Sequence, residues 1–150
     1  MRSVFRLVAA LIVPMAFSAP ARAALGGDEA SVGDDQARLK ASCKIARRSL
    51  YSIHEITAPS GTLVREYVAE NGRVFAVSWS GPFLPDLRQI LGASYEQYRQ
   101  APKSAHARGR GVAIDQPGLV VRSSGRMRSF HGFAYLPAQL PQGVTPEEIR

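Results

Sequence analysis

The chain has 150 residues, 45% of them hydrophobic, 8% aromatic and 21% charged, with 13 Gly and 10 Pro. That length suits one ordinary domain, and the makeup excludes a disordered or collagen-like chain; one cysteine excludes an internal disulfide framework. A formal charge of +7 invites a nucleic-acid partner, and the N-terminus decides how much of it counts.

Arg2 and Arg6 precede an apolar run from Leu7 to Ala19, and Ala21-Arg22-Ala23 follows as a small-x-small cleavage site. Basic start, apolar stretch and cleavage site together read as a secretory signal peptide over residues 1–23. The run is shorter than the roughly 20 residues of a membrane span, and Pro14 interrupts it. Cleavage after Ala23 removes Arg2, Arg6 and Arg22 and no acid, so +7 falls to +4. Export argues against DNA or RNA as a partner. The remaining charge fits solubility, or attraction to an anionic envelope component or an acidic protein. The expected location is the periplasm or beyond, with no membrane span after cleavage.

Residues 24–33 are small and polar and read as a flexible mature N-terminus, followed by a single domain over 34–150. Leu39, Cys43 and Ala46 share a helical face, Asp34 or Asp35 can cap it, and Lys44, Arg47 and Arg48 gather at its end. This spacing predicts a helix over about 35–48, with Cys43 as a packed thiol and an intermolecular disulfide as the alternative. Three strands follow: Leu50–Thr57, Thr62–Ala69 and Arg73–Ser80, with a turn at Ala58-Pro59-Ser60-Gly61 and a hairpin signal at Asn71-Gly72. A two-residue loop there sets Val68 opposite Phe75, Glu66 opposite Val77 and Val64 opposite Trp79. Pairing of Thr57 with Thr62 adds Tyr51 and Ile53 to the same apolar face. Ser52, His54, Arg65, Tyr67, Ala76 and Ser78 then form a more polar reverse face.

Gly81-Pro82 ends this meander. Leu84, Leu87, Ile90 and Leu91 make an apolar stripe starting near Pro85, interrupted at Gly92 and resumed by Tyr95 and Tyr98 up to about Gln100. Lys103–Gly111 reads as a basic loop. Leu119-Val120-Val121 and Ser129–Tyr135 read as strands joined through Ser123-Ser124-Gly125. Near the end, Thr145-Pro146-Glu147-Glu148 predicts a single helical turn capped by Thr145. The fold expected is α+β: a curved antiparallel sheet of about five strands, a three-stranded meander plus a later hairpin, packed by two helices.

Arg65-Glu66-Tyr67-Val68, then Val74-Phe75-Ala76-Val77 with Trp79, Gly81-Pro82, Pro85-Asp86-Leu87-Arg88-Gln89 and Leu91-Gly92 form a connected pattern. With Arg126-Met127-Arg128, Tyr135 and the closing Gly143-Val144 to Ile149-Arg150, it resembles the domain of unknown function 2844 family. The resemblance implies a short exported protein of Gram-negative origin with a single domain. It implies no activity and no catalytic residue, and Cys43 lies outside its pattern.

Candidate chemistry is sparse. Glu66 is the acid expected on the apolar face, either as a carboxyl of raised pKa suited to acid catalysis or as the partner of a cation such as Arg88. His54, Arg65 and Tyr67 on the polar face form either an anion-binding surface or a solvated one. His131 follows in a late strand, alternating with Met127, Ser129 and Phe133. The three histidines lack ligand spacing, and no nucleophile elbow, phosphate loop or dinucleotide fingerprint occurs, so neither a metal nor a cofactor is expected. Arg108, Arg110, Arg122, Arg126 and Arg128 surround the last hairpin and could form a basic binding patch, or serve as solvated edge charges. Trp79 fits core packing better than sugar stacking. Three functions remain open: a non-enzymatic envelope protein that binds or serves as a structural accessory; a small periplasmic hydrolase using Glu66 with His54 or His131; and a subunit that needs a partner to cover an apolar patch.

Overall fold

The structure, a computed structural model, describes residues 25–29, 42–102, 104–105 and 111–149. Among these, eight strands form one antiparallel sheet: β1 (Ser42–Arg47), β2 (Tyr51–Thr57), β3 (Leu63–Ala69), β4 (Val74–Gly81), β5 (Ser104–Ala105), β6 (Val112–Gln116), β7 (Leu119–Arg126) and β8 (Ser129–Tyr135). Their order is β1-β2-β3-β4-β8-β7-β6-β5. Two four-stranded meanders thus meet at the central β4–β8 pair. Between them run α1 (Leu87–Leu91), a 3-10 turn (Gly92–Ser94) and α2 (Tyr95–Gln100). The class is α+β in the broad sense, with more strand and less helix than expected.

The helix expected over 35–48 is overturned from Ser42 onward, where β1 forms instead; its earlier part lies outside the described residues. β1 pairs with β2 over six residues, Ser42 opposite Thr57 through Arg47 opposite Ser52, and Arg48 N donates to Tyr51 O to close the turn. A ladder along a ready strand outweighs the weak helical preference of so short a segment. The basic loop expected at Lys103–Gly111 contains β5, which pairs Ser104 with Ala113 and Ala105 with Val112. β6 was not anticipated, although Pro117-Gly118 marks its turn into β7. That strand continues past Ser123-Ser124-Gly125 to Arg126, so the β7–β8 turn is Met127-Arg128, with Arg126 opposite Ser129.

Two register details place the side chains. Thr57 pairs with Leu63, not Thr62, so Tyr51 and Ile53 turn to the reverse face and His54 joins the face of Glu66. At the β3–β4 hairpin Ala69 N donates to Arg73 O at 2.9 Å and Gly72 takes φ 76, a three-residue loop with glycine in the left-handed position. That loop is one residue longer than expected and sets Val68 opposite Val74, not Phe75. A β-bulge then absorbs Phe75, which restores the expected pairs Glu66–Val77 and Val64–Trp79.

Both faces are covered. On one, Ile56, Val64, Val68, Val77, Trp79, Val121 and Ala134 pack beneath Leu25, Leu87, Ile90, Leu91, Tyr95, Tyr98 and Leu136. Asp86 caps α1, accepting from Arg88 N at 2.9 Å. Residues 25–29 lie along the start of β4, with Gly26 N donating to Val74 O and Glu29 N to Gly72 O. On the other face Tyr67, Phe75 and Ala76 pack with Tyr51, Ile53, Phe133, Tyr135, Leu140, Val144 and Ile149. The closing segment is latched there by the expected single turn, a 3-10 turn at Pro146–Glu148, which Thr145 and Glu148 close with a capping box. The Thr145 amide, and after it the Tyr51 hydroxyl, hold the Glu148 carboxyl below its ordinary range.

Candidate functional site

The sheet brings two of the three candidate catalytic residues together. His54 on β2 stands directly opposite Glu66 on β3, with Ile45 of β1 on the other side of the histidine. Directly opposed side chains have Cβ atoms roughly 5 Å apart. Both are buried, at 4% and 1% exposure. His54 Nε2 lies 3.3 Å from Ser52 Oγ and 3.6 Å from Glu29 Oε1. Burial pushes the imidazole pKa below 6.5, and the Glu29 carboxylate only partly opposes it. Cys43, on the same face, has its thiol pKa pushed up, first by burial and then by the charge of Glu66. A thiol pKa pushed up, on the same face as an imidazole pKa pushed down, is the reverse of an activated cysteine. Among the described residues no group of three or more His, Cys, Asp or Glu side chains is placed to hold a metal ion.

The environment of His54 sets a pH dependence. The folded chain binds the imidazole proton less readily than the unfolded chain does, so below pH 6.5 unfolding takes up a proton. Stability from this group is full above that value and declines as pH falls through it, with a slope of at most about 1.4 kcal/mol per pH unit. Urea unfolding between pH 5 and 7.5 measures this, and His54→Asn is expected to flatten the profile in that window.

The remaining candidates separate. His131 is exposed, with Nε2 3.1 Å from Ser124 Oγ, and its register opposite Ser80 puts it on the reverse face from Glu66. The surface of His54, Arg65 and Tyr67 does not form, because the register sets His54 on the other face. Arg65 Nε instead donates to Glu55 Oε1 at 2.7 Å, and the buried Tyr67 hydroxyl lies 3.4 Å from Ser78 Oγ. Arg88 holds its guanidinium 5.3 Å from the Tyr95 ring centroid.

The arginines of the basic patch have unlike surroundings. Arg122 donates to Asp115 Oδ2 at 2.8 Å, to Ile114 O at 2.7 Å and to Val121 O at 3.1 Å, tying β6 to β7. Arg126 and Arg128 are exposed on either side of Met127 at the β7–β8 tip, without an ion pair to any described carboxylate. Arg128 takes φ 62, the one non-glycine residue among those described to do so. Arg108 and Arg110 lie outside the described residues.

The register also shows what else stands at that end of the sheet. Gly81, Phe130 and Gly125 lie in one row across β4, β8 and β7. The loop after Gly81 therefore leaves the same end of the sheet as the Met127-Arg128 tip, and it leans toward the β2–β3 turn, where Thr62 donates to Phe83 O. Phe83 and Leu84 are exposed there. A cleft of about 100 Å³ opens under them, lined by Val64, Phe83, Leu84, Pro85 and Ile90 among others. Leu84 read as part of a helical stripe; its place before Pro85 disfavours helix and was the signal for an extended loop.

A family model described as protein of unknown function (DUF2844) matches residues 21–149. The chain belongs to that family. Comparison with curated proteins and with solved structures finds no match. Two of the segments that carry the DUF2844 resemblance, Gly81-Pro82 with Pro85-Asp86 and Arg126-Met127-Arg128, lie at this one end of the sheet. No helix among the described residues is long and apolar enough to cross a membrane.

Proposed function

We propose that this DUF2844 chain is an exported envelope protein that acts by binding, without catalysis, and that its β7–β8 tip engages an anionic envelope component. The leader, Arg2 to Ala23 with its cleavage site, supports export to the periplasm or beyond. One observation carries the binding reading: Arg128 occupies left-handed backbone at φ 62. Glycine or asparagine takes that position most readily, and another residue costs about 1 kcal/mol there. A side chain kept against that cost, beside Met127 and Arg126 and outside any described ion pair, suits a surface directed at a partner. The hydrolase reading gains nothing: Glu66 and His54 lie closed in the core and His131 is on the other face.

The test uses Arg128→Gly. Relief of backbone strain predicts stability equal to the parent or higher by about 0.5–1 kcal/mol. Retention on immobilised heparin, as a generic polyanion, should weaken at the same time, and Arg126→Ala/Arg128→Gly should elute at lower salt still. If the folded double variant elutes with the parent, the tip is not the binding surface.

A further inference from the structure

We infer, resting on that reading, that the anionic partner is the surface of a phospholipid bilayer, with Phe83, Leu84 and Met127 entering the headgroup region. Arg126 and Arg128 meet its phosphates. Five large apolar side chains are exposed among the described residues: Ile45, Leu50, Phe83, Leu84 and Met127. Ile45 lies within β1 and Leu50 at the opposite end of the sheet. The other three share one end, at 57%, 46% and 91% exposure. The ends of β4 and β7 are two strand spacings apart, roughly 10 Å. The β4 loop extends from there toward the β2–β3 turn, so the apolar and basic side chains lie along one edge that a flat surface can meet.

The loop is held in place. Thr62, itself buried, donates through Oγ1 to Phe83 O at 3.0 Å. The close approach of Gly81 to Thr62, where a Cβ would stand 2.5 Å from Thr62 Cα, fixes the entry to the loop. Asp86 fixes its exit by capping α1. Phe83 and Leu84 therefore project from braced backbone, and little ordering remains to be done on contact.

Chemistry selects the partner. A soluble polyanion would engage the arginines and leave three apolar side chains in water. An acidic bilayer satisfies both classes, because cations rest at the phosphate level while apolar side chains enter the acyl boundary. The mix of an apolar tip and flanking arginine is that of an interfacial anchor, and the alternation of cation, Met and cation along Arg126-Met127-Arg128 supplies both within one turn.

The experiment compares vesicles with a soluble polyanion, using the mature chain that cleavage after Ala23 leaves. Co-sedimentation is measured with vesicles of phosphatidylglycerol and phosphatidylcholine, with phosphatidylcholine alone, and in parallel by heparin retention. The parent should partition onto the acidic vesicles and much less onto neutral ones. Phe83→Ser/Leu84→Ser/Met127→Ser should bind acidic vesicles at least roughly tenfold more weakly and keep the heparin elution of the parent. Loss of Arg126 and Arg128 should weaken both, by roughly tenfold to thirtyfold on vesicles. Met127→Ser alone, at a side chain too exposed to support the fold, gives the same direction if the triple variant unfolds. Equal vesicle binding by folded apolar variants overturns the bilayer inference and leaves the charge-based reading standing. A parent that binds neither vesicles nor heparin overturns both.

Discussion

Gly132→Ala is expected to destabilise the protein by about 2–3 kcal/mol. Gly132 sits in β8 opposite Trp79 on β4 and Ser123 on β7. A Cβ there would fall against the six-membered ring of the Trp79 indole and 2.6 Å from the backbone oxygen of Arg122. A flexible side-chain tip could move aside; a buried indole and a strand carbonyl cannot without shifting the ladder. Trp79 Nε1 has no hydrogen-bond partner among the described residues, so Trp79→Phe removes volume without breaking a bond. The double variant Gly132→Ala/Trp79→Phe should then be less destabilised than the sum of the two, by 0.5 kcal/mol or more on the usual scale of coupling between touching residues. It does not return to the level of Trp79→Phe alone, because the Arg122 carbonyl stays. Gly118→Ala, which meets only the amide end of Gln97, is the control with a small effect. Urea unfolding of the four proteins measures the cycle.

The elements most legible in the sequence were those with local, redundant signals. β2, β3 and β4 stood out by their β-branched and aromatic residues, and the closing turn by Thr145, Pro146 and Glu148. The helical region from Leu87 to Gln100 was found with its break at Gly92. What escaped depends on partners distant in the chain. β1 has helical spacing and becomes a strand because β2 offers a ladder. Ser104–Ala105 is too short to carry a periodicity at all. The assumption of one apolar face failed at β4, whose residues Val74 to Trp79 are all buried. An unbroken run of that kind marks a central strand covered on both sides, not an alternating one. Of the candidate site, the sequence shows Arg126 and Arg128, but not that the register brings Phe83 and Leu84 to the same end of the sheet. The same register separates His54 from Arg65 and sets it against Glu66. A shift of one residue at Thr57 accounts for that exchange, since each slip turns every side chain of a strand to the other face.

The core and the Met127-Arg128 end of the sheet differ in the side chains they hold. Burial pushes the His54 pKa down and the Cys43 pKa up, so both favour their neutral forms. The exposed cations and apolar side chains are collected where the strands turn. The proposed contact with a bilayer needs rigid presentation, and a sheet packed on both faces supplies that stiffness.

Phe75→Ala is expected to cost about 3–5 kcal/mol, a large share of the stability of an ordinary domain. The ring is fully buried. Its centroid is 5.8 Å from Tyr51 in an edge arrangement at 83°, and 6.2 Å from Tyr67 at 56°; such pairs add about 0.5–1.5 kcal/mol beyond the buried area. Phe75→Leu keeps most of the volume and should cost about 1.5 kcal/mol or less. The bulge makes a sharper test available. Phe75 is the residue in excess between the pairs Val68–Val74 and Tyr67–Ala76, so its deletion leaves every other described pair of β3 and β4 in place. The Leu136 amide, which donates to Phe75 O at 3.0 Å, loses its acceptor. Deleting Phe75 should therefore destabilise by no more than about 1 kcal/mol beyond Phe75→Ala, the value of one hydrogen bond. Deleting Ser78 from the same strand carries no such protection. It would turn either Val77 or Trp79 out of its layer, and no cooperative unfolding transition is expected. If both deletions abolish folding alike, the bulge is a structural necessity of the strand and not a means of placing one ring.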